Sequence, residues 1–222
     1  MRRANRGRTA GSSAPVIVFA QPAQVSGTRL ARRIGAADAA LLQRRLLART
    51  LHHLDRGGVR TLVAVPAGAQ ESVAAGERAG ARIILQPHGG AGRRLADVLR
   101  HARRGAILVD SDAPGLDAIM VCHAAASLGH FDLIVGPNWS GGAYLIGLRS
   151  PHHAFRLFAG VRWGSRHMLE DLLARAPRHW LVGLLPVLAD ANDAAGAREA
   201  SEDHAPPRRR SSALGLITMR RR

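Results

Sequence analysis

Short apolar runs alternate with longer alanine- and leucine-rich runs through the body of this chain, and that alternation admits few folds. Pro15 to Ala20, Thr61 to Val65, Arg82 to Leu85, Ala106 to Val109, Asp132 to Val135, Ala143 to Leu148 and Trp180 to Leu184 read as strands. Between them, Ala36 to Leu54, Gln70 to Arg78, Arg93 to Arg103, Leu116 to Leu128 and Arg166 to Arg175 read as helices, the first with Leu41, Leu42, Leu46, Leu47 and Leu51 on one face. Strands apolar on both faces and separated by helices belong to a largely parallel sheet with helices on either side. The expected fold is therefore α/β, three layers in the order α/β/α, with a mostly parallel Rossmann-like sheet.

With 222 residues, 46% of them apolar, the chain can bury one sizeable core. The organisation expected is a disordered basic N-terminal tail over residues 1–13, one α/β domain over 14–200, and a second disordered basic tail over 201–222. The formal charge of +16 is shared between tails and body, and every basic side chain except histidine is arginine. Arginine usage of this kind, beside abundant alanine and glycine, matches the coding habit of a GC-rich genome. The tails offer charge to a polyanion, but with one tyrosine and no interleaving of aromatic and basic residues, nucleic acid is not an expected partner. Leu214 to Met219, a short apolar stretch between arginines, reads as a segment for docking on a partner or a membrane surface. Nothing approaches the roughly 20 apolar residues of a membrane span, and the reading is cytoplasmic. The single Cys122 excludes an internal disulfide; its apolar surroundings predict a buried, inert thiol.

In open α/β sheets ligands bind where loops converge at the carboxyl ends of strands. The loop Gln21 to Leu30 leaves the first strand and enters a helix; its backbone N–H groups and Arg29 suit a phosphate, although an arginine there also serves as ordinary surface charge. Asp110 and Asp112 end the mid-chain strand two residues apart, a spacing suited to an Mg²⁺ or Mn²⁺ bridging a diphosphate. Asp112 alternatively caps the following helix. Gly141 and Gly142 permit close backbone approach, and Trp139 beside them either stacks on a sugar or base or covers the core. Asp190 and Asn192 offer further oxygens or a helix cap. The histidines, His152, His153 and His167 included, lack zinc-site spacing.

Thr28-Arg29-Leu30, Ser111-Asp112-Ala113-Pro114, Gly136 to Gly142 and Asp190 resemble, in order and spacing, a small bacterial family of glycosyltransferase-like proteins related to the GT-A nucleotide-sugar transferases. Gly136 to Leu148 is similar without gaps to that family's Gly-Pro-x-x-Asp-Gly-Gly-Tyr-x-Leu-x-Gly-Leu. Gln86 to Leu95 resembles its Gly-Asp-Leu-Gly-Glu-Arg-Leu, with Gly92 and Arg94 kept. The resemblance covers residues 15–195 and implies a nucleotide-diphospho-sugar transferase fold. It implies a nucleotide-sugar donor held by Thr28, Arg29, Arg94, Trp139, Ser140, Gly141 and Gly142, and an Mg²⁺ or Mn²⁺ on Asp112, Asp110 and Asp190.

This chain also departs from the family's pattern. Gly27 replaces a lysine, and Ser140, Asn192, Gly90 and Arg93 replace acids, so fewer negative charges face a metal ion. Three functions follow as expectations. The first is transfer of sugar from a nucleotide-diphospho-sugar; the others are a catalytically inactive binding or scaffold protein, and a guanylyltransferase-like nucleotidyltransferase.

Overall fold

The computed structural model describes residues 14–21, 29–191 and 215–219. Eight strands form one sheet: β1 (Val16–Phe19), β2 (Thr61–Val65), β3 (Arg82–Leu85), β4 (Ala106–Asp110), β5 (Leu133–Pro137), β6 (Ala143–Leu148), β7 (Val182–Leu184) and β8 (Ile217–Met219). Their spatial order is β3-β2-β1-β4-β6-β5-β7-β8. β1 lies between β2 and β4, parallel to both, and β3 runs parallel to β2. β6 is inserted antiparallel between β4 and β5, whereas β7 runs parallel to β5. The sheet is mostly parallel, as expected, with antiparallel pairs at β6 and at the β8 edge.

The helices are α1 (Arg29–Ile34), α2 (Ala36–Arg56), α3 (Gln70–Arg78), α4 (Ala91–Leu99), α5 (Ala118–Ser127), α6 (Ala154–Phe158) and α7 (Met168–Arg175). Successive strand residues point to opposite faces, and the two cores follow that period. Ile17, Phe19 and Leu108 pack with Leu95, Phe158 and Leu172 beneath α4, α6 and α7. Val16, Val18, Ile107 and Val109 pack with Leu47, Leu51 and Val121 beneath α2 and α5. Three layers result. No described helix is long and apolar enough to cross a membrane.

Several local expectations change. Leu41 is exposed, because α2 turns its core stripe through Leu46, Leu47, Leu51 and Leu54 instead. Cys122 is exposed as well: α5 is apolar around much of its circumference, so composition could not say which face is buried. The cap of α5 is Asp117, whose Oδ1 accepts from the Met120 N–H at 2.8 Å, rather than Asp112. Within the expected C-terminal tail, Ile217–Met219 pair antiparallel with β7 in the register Val182↔Met219. That stretch adds an edge strand to the sheet.

Candidate functional site

Strand direction determines which loops meet. β1, β2, β3, β4, β5 and β7 all point the same way, so Gln21, Pro66, Gln86, Ser111, Asn138 and Leu185 emerge along one rim, joined there by the start of β6. A cleft of about 430 Å³ opens at this rim. Among its lining residues are Gln21, Arg94, Asp110, Asp112, Ser140 and Asp190. Residues distant in sequence thus converge where the strand-end rule places a ligand.

Asp110 lies beside β1 through the register Phe19↔Asp110, which brings Gln21 within reach. Gln21 Nε2 donates to Oδ1 at 3.0 Å and to Oδ2 at 3.2 Å. Burial pushes the Asp110 carboxyl up to about 6, assisted by the nearby Asp190 charge and opposed by the Gln21 amide and the backbone N–H groups of Ser111 and Asp112. A carboxyl raised in the folded state favours folding while protonated and opposes it once ionised. Stability is therefore expected to fall as pH climbs from 3.8 to about 6. Asp110→Asn should gain stability over the parent across that interval, read by urea unfolding at matched pH values. A constant difference between the two proteins would contradict the desolvated carboxyl.

Asp190 arrives on the segment after β7, which is pinned across the rim by backbone bonds. Leu188 N–H donates to Pro137 O at 3.1 Å, Trp139 N–H to Leu188 O at 3.1 Å, and Ala191 N–H to Asp112 O at 2.9 Å. The Asp190 side chain is buried and its Oδ2 accepts a short hydrogen bond from Ser140 Oγ. Asn138 Oδ1 lies 3.0 Å from the same hydroxyl and accepts the Gly142 N–H at 2.6 Å. Ser140 is therefore held between two acceptors on a hairpin loop.

That loop depends on Gly141. Its φ of +83° is left-handed, and a Cβ there would lie 2.1 Å from Arg166 O. Leu169 N–H donates to Gly141 O at 3.0 Å, tying the loop to α7.

Arg94 reaches the cleft from the first turn of α4. Gln86, buried at the end of β3, donates Nε2 to Ala20 O at 2.7 Å and to Ala64 O at 2.8 Å. Those two carbonyls orient the amide, so its Oε1 faces outward and accepts Arg94 Nη1 at 2.8 Å. The guanidinium sits 5.4 Å from the Phe19 ring centroid, a cation–π spacing. Its Nε is buried with no hydrogen-bond partner among the described residues.

Of the residues singled out from sequence, Arg94, Ser140, Gly142, Asp110, Asp112 and Asp190 line this cleft. Gly141 shapes the loop from behind. Trp139 is 65% exposed and lies outside the lining, neither over the core nor in the cleft. Arg93 turns its side chain to solvent beside Asp97. Thr28 and Asn192 fall outside the described residues, as does the side chain of Arg29. Gln21, Gln86 and Asn138 were missed as site residues; their positions one or two residues past strand ends were the available signal. Among the described residues, no three of His, Cys, Asp and Glu are grouped so that they could hold a metal ion. Asp110, Asp112 and Asp190 share a cleft without forming such a shell.

The architecture and rim cleft define a protein of the nucleotide-diphospho-sugar transferase type of fold. Residues 50–165 match the model of a family described as uncharacterized proteins conserved in bacteria (DUF2064), and the chain belongs to that family. A protein of Desulfovibrio desulfuricans G20, whose name proposes a nucleotide-diphospho-sugar transferase, superposes with a TM-score of 0.68 at 25% identity, over 81% of this chain and 82% of that one. Rv0371c from Mycobacterium tuberculosis H37Rv, in a complex with manganese, gives 0.53 at 17% identity over 85% and 97%. The 4-diphosphocytidyl-2C-methyl-D-erythritol synthase of Anaerococcus prevotii DSM 20548 gives 0.55 at 10% identity over 85% and 95%. The last two likenesses are of fold alone. No curated protein matches the chain in sequence.

Proposed function

We infer that this chain binds a nucleotide-diphospho-sugar in the rim cleft and transfers the sugar to an acceptor. The observation that carries this reading is the composition of one cleft: a fixed guanidinium, Arg94, faces polar and acidic groups from four separate loops. A sugar diphosphate presents both chemistries, an anion to be neutralised and hydroxyls to be hydrogen-bonded. The likeness to the Desulfovibrio protein supports the same substrate class.

On this reading Arg94 stabilises the diphosphate as the glycosidic bond to it breaks, because charge grows there in the transition state. Ser140, already hydrogen-bonded to Asp190, meets a sugar hydroxyl. The carboxylates of Asp110 and Asp112 accept from hydroxyls of donor or acceptor. The described residues do not assemble a metal shell, so no step is assigned to a metal.

The test is incubation of the full chain with UDP- and GDP-sugars, followed by chromatography of the products. Release of nucleoside diphosphate, abolished in Arg94→Gln, is the expected result. Release of inorganic pyrophosphate from a nucleoside triphosphate with a sugar phosphate would replace this reading by nucleotidyl transfer. Binding without turnover would leave a binding protein.

A further inference from the structure

Arg32 and Arg94 both line the cleft; Arg94 is the one whose environment is built in detail, and the acids among the described residues do not converge on an ion. Arg94 is restrained on two sides. Gln86 Oε1 takes one Nη1 proton, and the Gln86 amide cannot turn over without losing its bonds to Ala20 O and Ala64 O. The guanidinium carbon lies over the Phe19 ring. A guanidinium carries five N–H donors; Gln86 takes one, and Nε is enclosed without an acceptor among the described residues. The Nη donors that Gln86 does not take are the ones that an anion in the cleft would meet.

Two of the three acids already accept hydrogen bonds. Both oxygens of Asp110 accept from Gln21, and Asp190 Oδ2 accepts from Ser140. Between them stand neutral groups, Ser140 and Asn138, where the resembled family's pattern has an acid at 140. Mg²⁺ demands near-octahedral oxygen ligands at about 2.0–2.1 Å, and the described residues offer no group of three acids or histidines for it.

We propose that Arg94, oriented by Gln86 and Phe19, replaces a divalent cation as the diphosphate-binding charge of this site, so that nucleoside diphosphates bind without metal. This rests on the nucleotide-sugar reading above and specifies its cofactor requirement. Arg94 is the ligand-contacting residue and Gln86 a positioning residue. A fixed planar fork suits two phosphate oxygens at once, which an ammonium group does not reproduce.

Isothermal titration of the full chain with UDP, GDP and inorganic pyrophosphate, each in EDTA and in Mn²⁺, tests it. The expected result is the same Kd in both media for at least one nucleotide. Arg94→Gln should weaken that binding by about 10- to 100-fold in both. Arg94→Lys should recover part of it, and circular dichroism would check that both variants are folded. Gln86→Met, which removes the acceptor facing Arg94, should weaken binding in EDTA while Mn²⁺ restores none of it. Binding that requires Mn²⁺ would overturn the inference and leave the nucleotide-sugar reading standing, as would an unchanged Kd in folded Arg94→Gln. Metal-free binding of pyrophosphate without either nucleotide would sustain Arg94's role and overturn the nucleotide reading. No binding of any probe overturns both.

Discussion

Gly141→Ala should destabilise the protein by about 3 kcal/mol or more, because two separate costs coincide at this position. The first is conformational. A left-handed φ of +83° costs a residue bearing a Cβ about 1–2 kcal/mol. The second is steric: the new methyl would lie 2.1 Å from Arg166 O and 2.8 Å from Arg166 C, backbone atoms that no rotamer change can move aside. Relief requires the hairpin to lift from α7, which breaks the Leu169 N–H to Gly141 O bond and shifts Ser140 relative to Asp190. Ligand affinity should therefore fall together with stability. Gly142→Ala is the control. Its Cβ would meet Asn138 amide atoms at 3.1 Å, a side-chain contact needing a shift of only a few tenths of an ångström, and its φ is not left-handed, so its loss should be much smaller. Urea denaturation followed by circular dichroism separates the two, and equal midpoints would show that the loop does not depend on residue 141.

The sheet was legible because β1, β2 and β4 are apolar on both faces, a pattern that central parallel strands require. β6 carries the same pattern, and hydropathy does not encode strand direction; its antiparallel insertion follows from the short hairpin that joins it to β5. Leu214 to Met219 reads in the sequence as a docking segment because the three-residue exposed edge strand within it, Ile217–Met219, has no periodicity to detect. The site was legible where it carries charge. Asp110 and Asp112 at a strand end, Arg94 in the first turn of α4 and Asp190 on the segment after β7 do line one cleft. The amides that orient them do not stand out, since Gln21, Gln86 and Asn138 resemble ordinary loop residues until the strand register supplies their partners. Trp139 shows the opposite failure. A large aromatic beside two glycines suggests a stacking platform, but the tight turn closed by the Gly141 N–H to Asn138 O bond at 3.2 Å directs it away from the cleft.

Tyr144→Ala carries the larger expected loss, about 3–5 kcal/mol, the range for emptying a fully buried aromatic site. Tyr144 is completely buried on β6, and its ring lies against Gly136 so closely that a Cβ on that glycine would come within 2.4 Å of Cζ. Glycine at 136 and tyrosine at 144 therefore form one packing unit across the β5–β6 pair. The phenol adds a second function, since its hydroxyl donates to Pro186 O at 2.9 Å and so anchors the segment that carries Asp190 over the rim. Burial pushes this hydroxyl's pKa well above its ordinary value, so it remains a donor throughout the neutral range. The two roles separate by substitution. Tyr144→Phe keeps the ring and removes the donor, with an expected loss of about 1 kcal/mol, yet it removes one anchor of the Asp190 segment and should weaken nucleotide binding more than that stability change implies. Tyr144→Ala removes both. Because the cavity would sit in the core shared with Val109 and Leu145, its effect should extend to β4 and thus to Asp110. Thermal unfolding and titration of both variants decide the matter: if Tyr144→Phe were as unstable as Tyr144→Ala, the ring would contribute little, and the Gly136–Tyr144 unit would be the wrong account of the hairpin.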